Sequence, residues 1–209
     1  MSPAGVRVTP LTPALARGWA ALFEASGCTC FCRWWHFTGS KNEWLARCFE
    51  DPTKNREEQT ALLEAGALEA RGLVAVEASG DVVGWMKLAP RSLLPKLRRQ
   101  GAYRPVDLGD DAGVWSVGCL LVRPDRRRTG VARALVEAAP EQARAWGGRA
   151  VEAYPHRVGH ALHDEEAWMG PEGVLVALGW RAVHDVGPYP VYRRDVEPRP
   201  TGRPASAGR

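Results

Sequence analysis

The chain has 209 residues, 45% hydrophobic and 25% charged, the composition of an ordinary globular domain and not of collagen, a coiled coil or a chain disordered throughout. Its net charge of +4, from 28 Lys+Arg against 24 Asp+Glu, is too small to mark a nucleic-acid binder. No run approaches the ~20 apolar residues of a membrane helix, the first residues lack the pattern of a secretory signal, and five cysteines make no secreted disulfide framework, so a cytoplasmic protein off the membrane is expected.

In chain order, the β-branched stretch Val6–Thr9 reads as an edge strand. Thr12 before Pro13 predicts a capped helix start, and Leu15, Trp19, Leu22 and Phe23 recur at helical spacing up to Ser26-Gly27. Cys28–Glu50 reads as a cysteine- and tryptophan-rich loop entering a helix at Asn42–Phe49. A further helix is expected over Pro52–Ala70, with Leu62, Leu63 and Leu68 facing inward. Leu73–Glu77 and Val82–Leu88, joined by Ala78–Asp81, form a predicted hairpin. A basic connection over 91–112 with one short helix leads to the apolar run 113–122, which suits a strand covered on both faces. The next helix, ending after Trp146, contains Pro140, which is expected to bend or interrupt it. Ala150–Tyr154 reads as a strand, 156–169 as an exposed excursion, Gly170–Leu178 as a helix closed by Gly179, and Trp180–Val183 with Val191–Arg193 as a final hairpin. The order predicts one α/β domain over 1–195 with a parallel crossover in its second half. The proline- and arginine-rich tail, 196–209, is expected to be disordered.

The chemistry concentrates where strand 113–122 meets Arg127-Arg128-Thr129-Gly130-Val131-Ala132-Arg133. A helix N-terminus offers unpaired N–H groups and partial positive charge, a ready site for phosphate. Gly130 lets a ligand approach the backbone closely, and the arginines add charge. The spacing is neither a Walker loop nor a GxGxxG turn. Instead V-x-P-x-x-R-R-x-G-V-A resembles the acetyl-CoA signature of the GNAT superfamily of N-acetyltransferases. Arg127, Gly130 and Ala132 match its Arg/Gln-x-x-Gly-x-Gly/Ala core, and A-L-G-W at Ala177–Trp180 looks like its closing L-G-F. CxCRWW, PVD before VWSVGC, VEAYP and W-M-G-P-E look like a bacterial subgroup of unassigned substrate. The resemblance implies a mixed, mostly antiparallel sheet splayed at the acetyl-CoA strand, with helices on both faces. It also implies that Leu120, Leu121 and Val122 pair with the pantetheine arm, that Arg127 to Ala132 bind the pyrophosphate, and that Arg126, Arg128 or Arg133 meets the ribose phosphate. Acetyl-CoA is then the co-substrate and a primary amine the acceptor, with no metal favoured.

Acetyl transfer needs a group to take the amine's proton and one to protonate the leaving thiolate. The positions where superfamily members often carry a glutamate and a tyrosine fall here at Ser116 and Leu175. Glu152 beside the cradle strand, Asp111 with Asp110 before it, and Tyr154 as an acid are the replacements at hand, although Glu152 would equally suit a salt bridge with an arginine. Cys119, inside an apolar strand, suits core better than covalent catalysis. Trp34, Trp35 and His36 are expected to line the acceptor side or to be core; as a lining they suit an aromatic or cationic amine. Cys28, Cys30, Cys32 and Cys48 offer soft ligands, but C-x-C-x-C is not the usual zinc-knuckle spacing, and buried reduced thiols are favoured over zinc or redox pairing. His156, His160 and His163 with Asp164, Glu165 and Glu166 read as an exposed loop that borders the acceptor cleft. Two rival functions stay open: a CoA-binding sensor without turnover, and a nucleic-acid or partner-binding module using the arginine run. A homodimer through exposed tryptophans or an unpaired late strand is compatible with the sequence.

Overall fold

The computed structural model describes residues 5–159, 163 and 167–197. Seven strands form one sheet: β1 Arg7–Pro10, β2 Gly72–Val76, β3 Val82–Pro90, β4 Val114–Val122, β5 Ala150–Ala153, β6 Arg181–His184 and β7 Val191–Asp195. They lie in the order β1-β2-β3-β4-β5-β7-β6. Neighbours are antiparallel except β4 and β5, whose parallel crossover carries the longest helix. The helices are α1 Ala16–Ala25, α2 Lys41–Glu50, α3 Pro52–Glu64, α4 Pro95–Arg99, α5 Val131–Ala145 and α6 Glu172–Ala177. Among the described residues no helix is long and apolar enough to cross a membrane.

Strand alternation sorts the core into two layers. Leu73 and Ala75 of β2 and Met86 and Leu88 of β3 pack with Val131, Leu135, Ala139 and Ala143 of α5. Val74, Val76 and Trp85 face the other way, onto Trp19, Leu22 and Phe23 of α1 and Leu63 of α3. The splayed sheet with helices on both faces is therefore the expected class. Gly84 of β3 lets α5 lie close: a Cβ there would stand 2.6 Å from Cγ1 of Val131, the first residue of that helix.

Two features of β4 create space for a site. Its pairing with β5 ends at Ser116 opposite Glu152, while β4 itself continues to Val122. Its register with β3 steps from Lys87↔Cys119 to Leu88↔Val117, so Gly118 is the extra residue of a β-bulge, which bends the strand locally.

Several local expectations need correction. Thr12 makes no side-chain cap; Pro13–Leu15 form a 3₁₀ turn and the α-helix starts at Ala16. The helix from Pro52 stops at Glu64, because Gly66 turns into the left-handed region at φ +70°, and Leu68 is left largely exposed. Pro140 does not interrupt α5. A helix-interior proline costs about 3 kcal/mol, but burying Leu135 and Val136 alone returns roughly 1.5–3 kcal/mol each, with Val131, Ala134, Ala139 and Ala143 buried as well. The final hairpin forms as expected, and its second strand, β7, is the one that adds to β5. Residues 198–209 of the expected tail lie outside the described residues, as do His160, Asp164, Glu165 and Glu166.

Candidate active site

The turn before α5 combines unusual backbone with an open helix end. Arg128 and Gly130 have φ of +62° and +91°, and Gly130 is the N-cap with no side chain capping the helix. The first N–H groups of this fifteen-residue helix thus receive no acceptor from the N-cap side chain, in a concave turn of the kind that binds anions. Thr129 is exposed and turns back, its Oγ1 donating to the Arg126 carbonyl at 2.7 Å.

A cleft of about 520 Å³ runs from this turn along β4. All the predicted coenzyme residues line it except Thr129: Leu120, Leu121, Val122, Arg127, Arg128, Gly130, Val131, Ala132 and Arg133. The opposite wall is His156, Arg157 and Val158 after β5, and Pro171 to Val174 entering α6. Arg157 grips Glu172 at 2.5 Å and Asp185 at 2.6 Å, and its hydrogen bonds hold the Glu172 carboxyl below its ordinary range. That wall is pinned from the Glu172 side, since Tyr192 also donates to Glu172 at 2.7 Å.

A second cleft of about 500 Å³ lies beyond, lined by Gln100 to Tyr103, Tyr154, His156, Trp168, Met169 and Tyr189. His156 borders both spaces, half-buried and stacked on Tyr189 with ring centroids 5.0 Å apart. The sequence assigns His156 to an exposed loop bordering the acceptor cleft; the ring itself is half-buried and lines both spaces. Its signal was position: it follows VEAYP, three residues past the end of a strand that diverges from the cradle strand.

Glu152 and Asp111 line neither cleft. Arg91 is buried between them, its Nη1 donating to Glu152 at 2.9 Å and its Nε to Asp111 at 2.5 Å. Its Nη2 also donates to the carbonyls of Gly109 and Asp110. Arg193 pairs with Glu152 at 3.3 Å and Arg98 with Asp111 at 2.6 Å. Burial pushes the Asp111 carboxyl up, but the hydrogen bonds from Arg98 and Arg91 hold it below the usual range. Both carboxylates are thus committed to fastening β5 and the 109–111 turn to Arg91, the salt-bridge alternative for Glu152. Tyr154 sits in the second cleft with its hydroxyl spent, donating to Glu152 at 2.8 Å and meeting Ser116 Oγ at 2.9 Å. Burial, then the Glu152 charge, raises its pKa well above the ordinary tyrosine value.

The other family-type position, Leu175, is 1% exposed and part of the core. Cys119 packs with the α1 layer, away from the coenzyme cleft. Of the aromatic candidates, Trp35 is buried, donates through Nε1 to the bulged Gly118 carbonyl, and backs Trp168 at 5.6 Å. Trp34 instead packs on Trp44 under Lys96. His36 donates from Nδ1 to the Leu93 carbonyl at 2.7 Å. Neither Trp34 nor His36 lines either cleft, because the loop's 3₁₀ turn points them at α2, α4 and the Leu93 turn.

His36 carries a pH prediction. Desolvation, with the charges of Lys87 and Arg33, lowers its pKa from 6.5 to about 2, and its buried Nε2 has no partner among the described residues. The folded protein therefore holds His36 neutral, so the 3.7 Å approach to Glu69 is not an ion pair. Below pH 6.5 the unfolded chain takes up a proton that the folded chain refuses, and stability falls as pH falls. The expected slope is about 1.4 kcal/mol per pH unit. Urea unfolding at pH 7 and pH 5 should show the wild type losing about 2 kcal/mol more than His36→Gln.

The cysteine segment is compact. Cys28 and Cys30 sulfurs lie 3.4 Å apart, Trp85 Nε1 donates to Cys32 at 3.0 Å, and burial raises the Cys32 thiol well above its ordinary pKa. Among the described residues no group of three or more potential ligands converges to hold a metal.

The acetyltransferase (GNAT) family model matches residues 39–166. No curated protein matches the sequence. Among solved structures the chain is similar to PaiA N-acetyltransferase from Thermoplasma acidophilum in complex with coenzyme A, at 12% identity over 91% of this chain and 98% of that one, TM-score 0.50. It is similar to a GCN5-related N-acetyltransferase from Kribbella flavida, at 18% identity over 93% and 100%, TM-score 0.52. A third is YncA from Salmonella typhimurium with its cofactor acetyl-CoA, at 13% identity over 96% and 99%, TM-score 0.52. At these identities the likeness speaks to the fold. The family match spans well over half of the chain and contains β4, the arginine-glycine turn, α5 and β5 whole; the chain belongs to the GNAT family of acetyltransferases.

Proposed function

We propose that this protein transfers an acetyl group from acetyl-CoA to a primary amine by direct attack. The observation that carries the reading is the cleft that opens where β4 leaves β5 and ends at the uncapped N-terminus of α5. An elongated thiol ester with a pyrophosphate at its far end fits that shape and charge. In this reading the unpaired edge of β4 at Leu120 to Val122 meets the amide-bearing arm, and the N–H groups around Gly130 to Ala132 hold the pyrophosphate, with Arg127, Arg128 and Arg133 adding charge. Complexes of coenzyme A and of acetyl-CoA with PaiA and YncA, which share the fold, support it.

The amine nitrogen attacks the thioester carbonyl, the carbon–sulfur bond breaks, and one proton leaves the nitrogen while the departing thiolate gains one. His156, bordering both clefts, is the side chain we assign to that proton traffic, since an imidazole ring can accept a proton at one nitrogen and donate one from the other. Glu152 and Asp111 hold β5 and the 109–111 turn rather than touch the substrates, and Tyr154, its hydroxyl committed to Glu152, offers the acceptor cleft its ring. The test is amine-dependent release of the CoA thiol with a stoichiometric N-acetyl product. His156→Ala should lower kcat by about 100-fold with acetyl-CoA affinity retained, whereas Glu152→Gln should not.

A CoA-binding protein without turnover is the second reading, favoured by Ser116 and Leu175, which carry no family-type proton carrier to the cleft. Coenzyme binding without any amine turnover would select it. Nucleic-acid binding is disfavoured by the pairing of Arg123 and Arg126 with Glu77 and of Arg123 with Asp125, which offsets part of the local positive charge.

A further inference from the structure

The geometry points to the acceptor class: we infer an amine carried on an aromatic or similarly flat apolar group, without a carboxylate, seated among Tyr103, Tyr154, Trp168, Met169 and Tyr189. The inference deepens the acetyl-transfer reading and rests on it. The second cleft, about 500 Å³, falls within the size range of small-molecule sites. Among the described residues its lining includes no carboxylate, lysine or arginine. A polyamine or aminosugar is best held by carboxylates that replace its lost hydration, and an amino acid by a cation for its carboxylate; the described residues of the lining supply neither.

What the cleft does offer is ring surface held in place. Tyr103 meets Tyr154 edge-on at 5.5 Å, Tyr189 stacks on His156, and Trp168 rests on Trp35. Trp35 is itself tied to the bulge carbonyl of Gly118, so the Trp168 wall keeps register with the strand that lines the coenzyme cleft. Aromatic groups gain from such offset and edge contacts beyond simple burial, and Met169 adapts to shape. The lining also helps the chemistry. An apolar pocket disfavours an ammonium, so a bound amine is biased to its neutral, nucleophilic form, and His156 stands where this cleft meets the coenzyme cleft.

The experiment uses the full chain, acetyl-CoA and four probes: 2-phenylethylamine and tryptamine, L-phenylalanine as the same ring with a carboxylate, and spermidine. Product is followed by thiol release and mass spectrometry, and coenzyme affinity by calorimetry. The expected result is a kcat/KM for one or both arylalkylamines at least about tenfold above L-phenylalanine and spermidine. Trp168 and Tyr189 are 37% and 38% exposed, so their removal leaves the core intact. Trp168→Ala and Tyr189→Ala should each raise KM for the preferred arylalkylamine by about tenfold, with acetyl-CoA affinity unchanged. Equal or better turnover of spermidine or L-phenylalanine, an unchanged KM in both variants, or coenzyme binding with no arylalkylamine turnover would each overturn the acceptor assignment and leave coenzyme binding standing. Absence of acetyl-CoA binding would overturn the underlying acetyl-transfer reading as well.

Discussion

Gly130→Glu is expected to weaken acetyl-CoA binding by at least about 100-fold, or 2.7 kcal/mol, while the protein stays folded. Gly130 sits at φ +91° and ψ 1° as the N-cap of α5, a backbone conformation that costs an L-residue roughly 1–2 kcal/mol. That strain is affordable against a typical stability of about 5–15 kcal/mol. The larger effect is local: a carboxylate on Gly130 would occupy the same N–H groups and arginines that the pyrophosphate needs, and would repel it. Gly130→Ala carries the strain without the charge and should fall between wild type and Gly130→Glu. Thr129→Ala should bind normally, since Thr129 stands at an unspecified position of the motif, turns its hydroxyl back to the Arg126 carbonyl and does not line the cleft. Calorimetry with circular dichroism separates lost binding from lost fold.

Arg91→Met is expected to cost about 3–5 kcal/mol of stability at pH 7, the usual result of removing one partner from a buried ion pair. The Arg91 side chain is fully buried, and its neighbour Glu152 is 3% exposed at the side chain. Without the guanidinium, Glu152 keeps only Arg193 and Tyr154 among the described partners, and the carbonyls of Gly109 and Asp110 lose their donor. Urea unfolding measures it, and a loss under about 1 kcal/mol would show that water or another cation compensates the pair. Because the network fixes β5 beside Ser116, its loss should also loosen the cleft where β4 and β5 part.

Much of this fold could be read from residue patterns because its signals are local. The hairpin of β2 and β3 followed from alternation around Ser79-Gly80-Asp81, and the cradle from a strand, an arginine-rich turn and a glycine at a helix start. What could not be read depends on contacts far apart in sequence. The residue pattern leaves Glu152 open to catalysis or to a salt bridge, because its partner Arg91 lies 61 residues away. The insertion of β7 between β5 and β6 is a choice between two equally plausible strands, decided by the pairing of Val151 with Arg194 and its neighbours. The aromatic cleft is assembled from four separate segments around Tyr103, Tyr154, Trp168 and Tyr189, so no single stretch announces it. Trp34 and His36 misled for the opposite reason: a local cluster of rings looks like a binding surface, whereas most of this one packs inward or on α2.

The most direct test is a calorimetric titration of the purified, chelator-treated protein with acetyl-CoA in moderate salt. One-to-one binding, competed by free CoA and lost in Gly130→Glu, is the predicted result. A flat titration, or binding that Gly130→Glu leaves unchanged, would contradict the assignment of the β4–α5 cleft as the coenzyme site.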